Sequence, residues 1–245
     1  MAMQAAAMEA MTRVFRHFEQ ALGSPDRIPH KVGFVFRYRT AGIHEALIQK
    51  LARSISGLNA AIVLIEEGYF QETGVIFRTL DEILEDIVFL ASALTDAAYT
   101  DKHDRYLKAF YLHAVTSQPD GCFDIPQPNS VGRKDIRNHS IGVLGNGINQ
   151  SEARSAGKSV SAAYSGYVHA ASENIMEMFG GDPPQFHLTG MLGTLRETEW
   201  KRSLPTYIYR GLLAANFVAK GFGDHETVAT LYKFSEDYAA ENNLL

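Results

Sequence analysis

Two apolar rhythms separated by a glycine constrain this chain more than any other feature. Ile43, Leu47, Leu51, Ile55, Leu58, Ile62 and Ile65 recur at steps of four and three, and Ile76, Leu80, Ile83, Ile87, Leu90 and Leu94 repeat the pattern. Steps averaging about 3.5 residues describe helices whose ridges interlock at about 20°. Gly68 breaks the register, and so short a link forces the two helices to be antiparallel neighbours. Residues 42–94 therefore predict a long helical hairpin, with the rest of the chain packed around it.

A chain of 245 residues is long enough to bury a sizeable core, and one α-helical domain over 1–245 is expected. Its formal charge of −5 argues against a broadly basic nucleic-acid binder. Cys122 is the only cysteine, so no intrachain disulfide forms, and a reducing cytoplasm fits best. Residues 1–11 lack the basic and strongly apolar regions of a signal peptide. No uninterrupted apolar run reaches the length of a membrane span, so none is expected.

Along the chain, residues 8–22 carry Met8, Met11, Phe18 and Leu22 at helical spacing and end at Gly23-Ser24-Pro25. With the extended arm that follows, they make up an N-terminal segment, 1–40. In that arm Lys31 to Arg39 alternates with period two, as a strand does. Two uses fit it: a basic-aromatic arm for nucleic acid, or a connector laying Phe34 and Phe36 on the bundle. The connector is expected, because three basic side chains on one short run are a small footprint. Residues 101–116 read as a third helix. Prolines and glycines punctuate 118–150, which reads as a long loop with one short helix around Arg133 to His139. The many small residues of 151–179 predict a helix inside the bundle, touched on more than one side. A helix from Met191 should stop before Pro205, a new one should start there, and Asp224 should cap the last.

Few residues could carry chemistry. Arg78 and Glu82 stand at i and i+4 and can pair, with Glu85 and Phe89 on the same row. The row faces away from the Leu80 stripe, so it is a solvated face unless another helix covers it; Phe89 favours cover. His169, preceded by Tyr164 and Tyr167, sits on the helix expected to supply that cover. A buried imidazole beside Arg and Glu could move a proton while the guanidinium holds an anion. A lone histidine is more often structural.

The runs Phe77-Arg78-Thr79-Leu80-Asp81-Glu82 and Tyr164-Ser165-Gly166-Tyr167-Val168-His169 resemble an uncharacterised bacterial family of helical proteins. An Arg-Thr-Leu-x-Glu helix and a later Ser-x-x-x-His helix recur in it. The resemblance covers about 50 to 180, implies an α-helical bundle and implies no established activity; a role in stress or phage defence is context from the resemblance alone. The spacing of Ser165 and His169 is kept, but Tyr164 falls closer to the serine than the family pattern has it. That family looks distantly similar to HEPN proteins, which include metal-independent ribonucleases marked by an Arg and a His with four to six residues between them on one helix. Arg133 and His139 have that spacing, which implies a histidine acting at a ribose hydroxyl and an arginine on the phosphate.

Glu66 and Glu72 flank the turn, and His44, His103 and His113 lie on other apolar stripes, but the Glu-x-x-His pairs of a di-iron bundle do not occur. No metal or cofactor is expected. The reading is thus an all-α multi-helix bundle of six to eight helices around a long antiparallel hairpin. Its candidate catalytic residues are Arg78, Glu82, His169 and Tyr164, with Arg133 and His139 as the alternative. A sensor or interaction protein is the first functional reading and a HEPN-like ribonuclease the second. RNA is a partner only on the second, and a homodimer is expected on either, because aromatic helices over 205–238 suit a self-complementary interface.

Overall fold

The computed structural model describes residues 2–30, 33–95, 99–112, 116–117, 123–124, 130–144 and 162–244. Helix α1 (Ala2–Leu22) leads into a β-hairpin of β1 (Asp26–His30) and β2 (Gly33–Arg37), and then α2 (Ile43–Glu66), α3 (Phe70–Thr95) and α4 (Asp101–Phe110) follow. After the two-residue strands β3 (Thr116–Ser117) and β4 (Phe123–Asp124) come α5 (Arg133–Leu144), α6 (residues 162–168) and α7 (Ser172–Met176). A second two-residue pair, β5 (Phe179–Gly180) and β6 (Gln185–Phe186), precedes α8 (Arg196–Gly221) and α9 (His225–Glu241). The described residues form an all-α bundle whose sheets are all two-stranded.

The expected hairpin is its centre. α2 ends in a Schellman motif: Tyr69 N–H reaches Leu64 O at 2.7 Å and Gly68 N–H reaches Ile65 O at 3.2 Å. Gly68 holds the left-handed φ of 78° that this motif demands of its C′ residue. The turn is also an anchor, because Met191 N–H donates to Gly68 O at 2.8 Å and draws a distant loop onto the hairpin. α2, α3 and α8 pack mutually, α1 lies across α2 and α8, α9 lies on α8, and α5 lies on α3. Leu47, Leu51, Leu58, Phe77, Ile87, Leu90, Ile208 and Leu212 are buried where these helices meet. By length and composition α2 could cross a membrane, and here it is a core helix.

The last joint follows the expected pattern. Asp224 accepts from Thr227 N–H at 2.9 Å and from Thr227 Oγ1 at 2.8 Å, which caps α9.

Three expectations are corrected. α8 runs unbroken through Pro205. The carbonyl that proline cannot serve belongs to Lys201, an exposed residue whose backbone water can satisfy, so burial of Trp200, Leu204 and Tyr207 holds the helix through the break. Residues 162–179 are not an interior helix but two short ones parted at Ala170 (φ 50°), with Val168, Ile175 and Met176 exposed. Small side chains bury too little apolar area to hold a central place, and α8 occupies it. Residues 151–161 of that predicted helix lie outside the described residues, as do most of 118–129 and all of 145–150. Finally, 26–37 is a hairpin whose Phe34 and Phe36 are exposed, not laid on the bundle.

Candidate functional site

α3 is covered on several sides, so its polar residues must find partners inside the protein. Asp81, 4% exposed, faces α8. Arg210 Nη1 stands 2.9 Å from its Oδ1, and Tyr207 donates its hydroxyl to Oδ2 at 3.3 Å. Burial nonetheless pushes the carboxyl up to about 6, outweighing the guanidinium and the phenol. Tyr207 is held flat on Phe77, ring centroids 3.6 Å apart. Its own phenol is raised by burial and then by the Asp81 charge.

The expected Arg78–Glu82 pair forms next to this cluster, at 2.6 Å. Arg78 Nη1 is buried without a hydrogen-bond partner among the described residues, and the guanidinium charge reaches Asp81. Tyr164 comes from α6 to stand edge-on to Phe77 and Tyr207, at 5.8 and 5.9 Å. Burial raises its phenol, with Tyr207 and Ser203 as its hydrogen-bonding neighbours. His169 is not part of the group: it is exposed in the turn after α6, and among the described residues no hydrogen bond or ion pair joins it to Arg78 or Glu82. The break at Ala170 carries it outward.

α5, rather than the His169 segment, covers the second face of α3. Arg133 donates to Asp86, to Glu85 Oε2 at 2.7 Å and to the Glu82 carbonyl at 3.0 Å. Arg137 Nε reaches Glu85 Oε1 at 2.7 Å, and Lys50 Nζ reaches Asp86 Oδ2 at 2.8 Å. Further along, Ser92 gives its proton to Phe89 O at 2.8 Å and stands 2.6 Å from His139 Nε2. His103, fully buried, accepts from Thr100 N–H through Nδ1, so its Nε2 donates to Phe89 O at 3.1 Å. Burial lowers its pKa, in keeping with this neutral tautomer. Arg133 and His139 therefore lie on one helix, as the HEPN resemblance requires, but do not converge. Their partners Asp86 and Ser92 are six residues apart on α3, about 9 Å of axial rise.

A cavity of about 350 Å³ opens beside Tyr164, where α6, α7 and α8 meet. Tyr164, Tyr167 and Trp200 supply its aromatic wall, and Glu173, Glu177 and Glu199 its carboxylates. Tyr167 and Trp200 meet edge to face at 5.4 Å. Tyr167 donates to Glu177 Oε2 at 2.8 Å, and Arg196 stands 2.8 Å from Glu199 and 3.5 Å from Glu177. Gly74 makes room for this wall, since a Cβ there would lie 2.6 Å from Tyr167 Cγ. Gln71 donates to the Asn174 carbonyl at 2.8 Å and ties α7 to α3.

The sequence reading missed Asp81, Tyr207, Arg210 and Trp200. Asp81 stands inside the run already singled out, and Tyr207 and Arg210 are one helical turn apart. Their meeting depends on how α3 and α8 cross, which no local pattern encodes. Among the described residues no three of His, Cys, Asp and Glu gather closely enough to hold a metal ion. No protein-family model, curated protein or solved structure matches the chain, so the family resemblance rests on its quoted residues alone.

Proposed function

We propose that the protein is a ligand-binding, sensor-like helical bundle, and that its ligand is a small organic cation held in the cavity between α6, α7 and α8. One observation carries this reading: Trp200, Tyr164 and Tyr167 line the same cavity as three glutamates. Aromatic faces attract ammonium and guanidinium groups by about 0.5–2 kcal/mol each, and carboxylates add directionless attraction. The cavity has the size for a small molecule, with three rings set among polar side chains, and of its carboxylates Glu177 and Glu199 also face Arg196 while Glu173 does not. Tyr164 connects it to the Asp81 cluster in the bundle interior, a route by which occupancy reaches the core.

The ribonuclease reading has the helix it needs in α5. Its arginine, however, is matched by the carboxylates of Glu85 and Asp86, which leaves little charge for a phosphate.

Trp200 is the only tryptophan in the chain, so its fluorescence reports this cavity alone. Titration with choline should give a saturating change that the neutral analogue 3,3-dimethylbutan-1-ol does not. Glu173→Gln, at an exposed position, should weaken choline binding about threefold. Equal responses to cation and alcohol, or no saturation with either, would sink the proposal. RNA cleavage by the pure protein, abolished in His139→Ala, would replace it with the enzyme reading.

A further inference from the structure

The hairpin β1–β2 stands away from the bundle and exposes what globular proteins bury. Its register pairs Arg27 with Phe36 and Pro29 with Phe34, so both phenylalanines and an arginine share one face. Phe34 is 46% and Phe36 63% exposed. Burying a phenylalanine is worth about 1.5–3 kcal/mol, and two side by side forgo it. The Arg27 guanidinium lies 3.7 Å over the Phe34 ring.

Charge singles out the same segment. Residues 26–39 hold Arg27, Lys31, Arg37 and Arg39 against Asp26 alone, a net of three positive charges, so the rest of the chain carries eight negative. Asp26 is taken by Arg39, at 2.7 Å. Among the described residues no carboxylate pairs with Arg27 or Arg37.

The root of the hairpin holds a cavity of about 390 Å³ whose lining includes Phe36, Arg37, Tyr38, Gln49 and Tyr111. Tyr111 is fixed there by donating to the Gly42 carbonyl at 2.8 Å. Rings, an unpaired guanidinium and an amide around one slot are the chemistry of an unstacked base and its phosphate.

We propose that the β1–β2 hairpin and the cavity at its root bind single-stranded nucleic acid, with bases on Phe34, Phe36 and Tyr38 and phosphates on Arg27 and Arg37. Glu19 and Glu45 act on Tyr38 from α1 and α2, so the polyanion runs along the hairpin and away from those helices. A second copy of the hairpin is disfavoured, because it would bring three further positive charges against these three. This site is independent of the cation cavity.

The test is fluorescence anisotropy of the full chain with labelled oligo(dT) of about a dozen nucleotides, set against a duplex of equal length. The single strand should bind saturably and more tightly than the duplex. Phe34→Ala with Phe36→Ala, both exposed, should keep the thermal midpoint and lose about tenfold or more in affinity. Arg27→Gln with Arg37→Gln should lower the slope of log affinity against log salt by about 1.4. The proposal is overturned if no saturable binding occurs, or if the duplex binds as well. It is also overturned if the phenylalanine variant binds like the parent, if the variant changes the sedimenting mass instead, or if phosphatidylglycerol vesicles take the hairpin and oligonucleotide does not.

Discussion

Above about pH 6 the Asp81 carboxyl carries its charge inside the bundle, and the fold bears the cost. Its folded pKa lies above the ordinary value of 3.8, so the native state binds a proton between about pH 4 and 6 that the unfolded chain does not. Stability contributed by this residue therefore rises as pH falls through that window and is lost above it. Asp81→Asn should gain on the parent by up to about 3 kcal/mol between pH 4 and 7, read from denaturant unfolding at both values. A constant difference across the window would show that Arg210 and Tyr207 hold the carboxylate better than burial penalises it. This residue was nearly legible in the sequence: Arg78 and Glu82 were singled out three places to either side or nearer. An aspartate between Leu80 and Glu82 gives no sign of whether it meets water or Tyr207.

At the scale of elements, the turn at Gly68 joins two tasks. It closes α2 onto α3, and it receives the loop that leads to α8. A Cβ at Gly68 would lie 2.8 Å from the backbone nitrogens of Met191 and Leu192, on a residue with φ of 78°. Gly23 shares the left-handed φ, at 75°, but a Cβ there would meet nothing within 4 Å. Gly23→Ala should therefore cost about 1 kcal/mol, the backbone penalty alone. Gly68→Ala should cost at least about 2 kcal/mol, because backbone must also move. Equal midpoints in urea would mean that the Met191 contact contributes nothing. The hairpin itself was legible because its apolar residues repeat over 23 positions in the first helix and 19 in the second. The 151–179 segment misled for the opposite reason: small residues satisfy close packing and exposure alike, so their spacing does not choose between them. α5 was legible as a short helix around Arg133 to His139, but not that it, rather than the expected helix, covers Glu85 and Asp86.

For the whole molecule, protection should follow the packing. α2, α3 and α8 contact one another, whereas α7 has no buried residue and β1–β2 lies outside the core. Amide hydrogen exchange should be slowest in α3 and α8, governed by global unfolding, and fastest in α7 and the hairpin. Slow exchange in α7 at the level of α3 would contradict this order. The architecture class was readable from periodicity, but the order of helices round α3 was not, because several orders bury the same stripes. What selects among them is the height of the charges along α3. Asp81 meets Arg210 of α8, Asp86 meets Lys50 of α2 and Arg133 of α5, and Glu85 meets Arg137. Apolar ridges tolerate a slip of one turn, about 5.4 Å, with little loss. The ion pairs do not, since the same slip would part all of them at once and leave buried charges alone. The charged residues of α3 thus act as a vernier, fixing where along its length each neighbour sits.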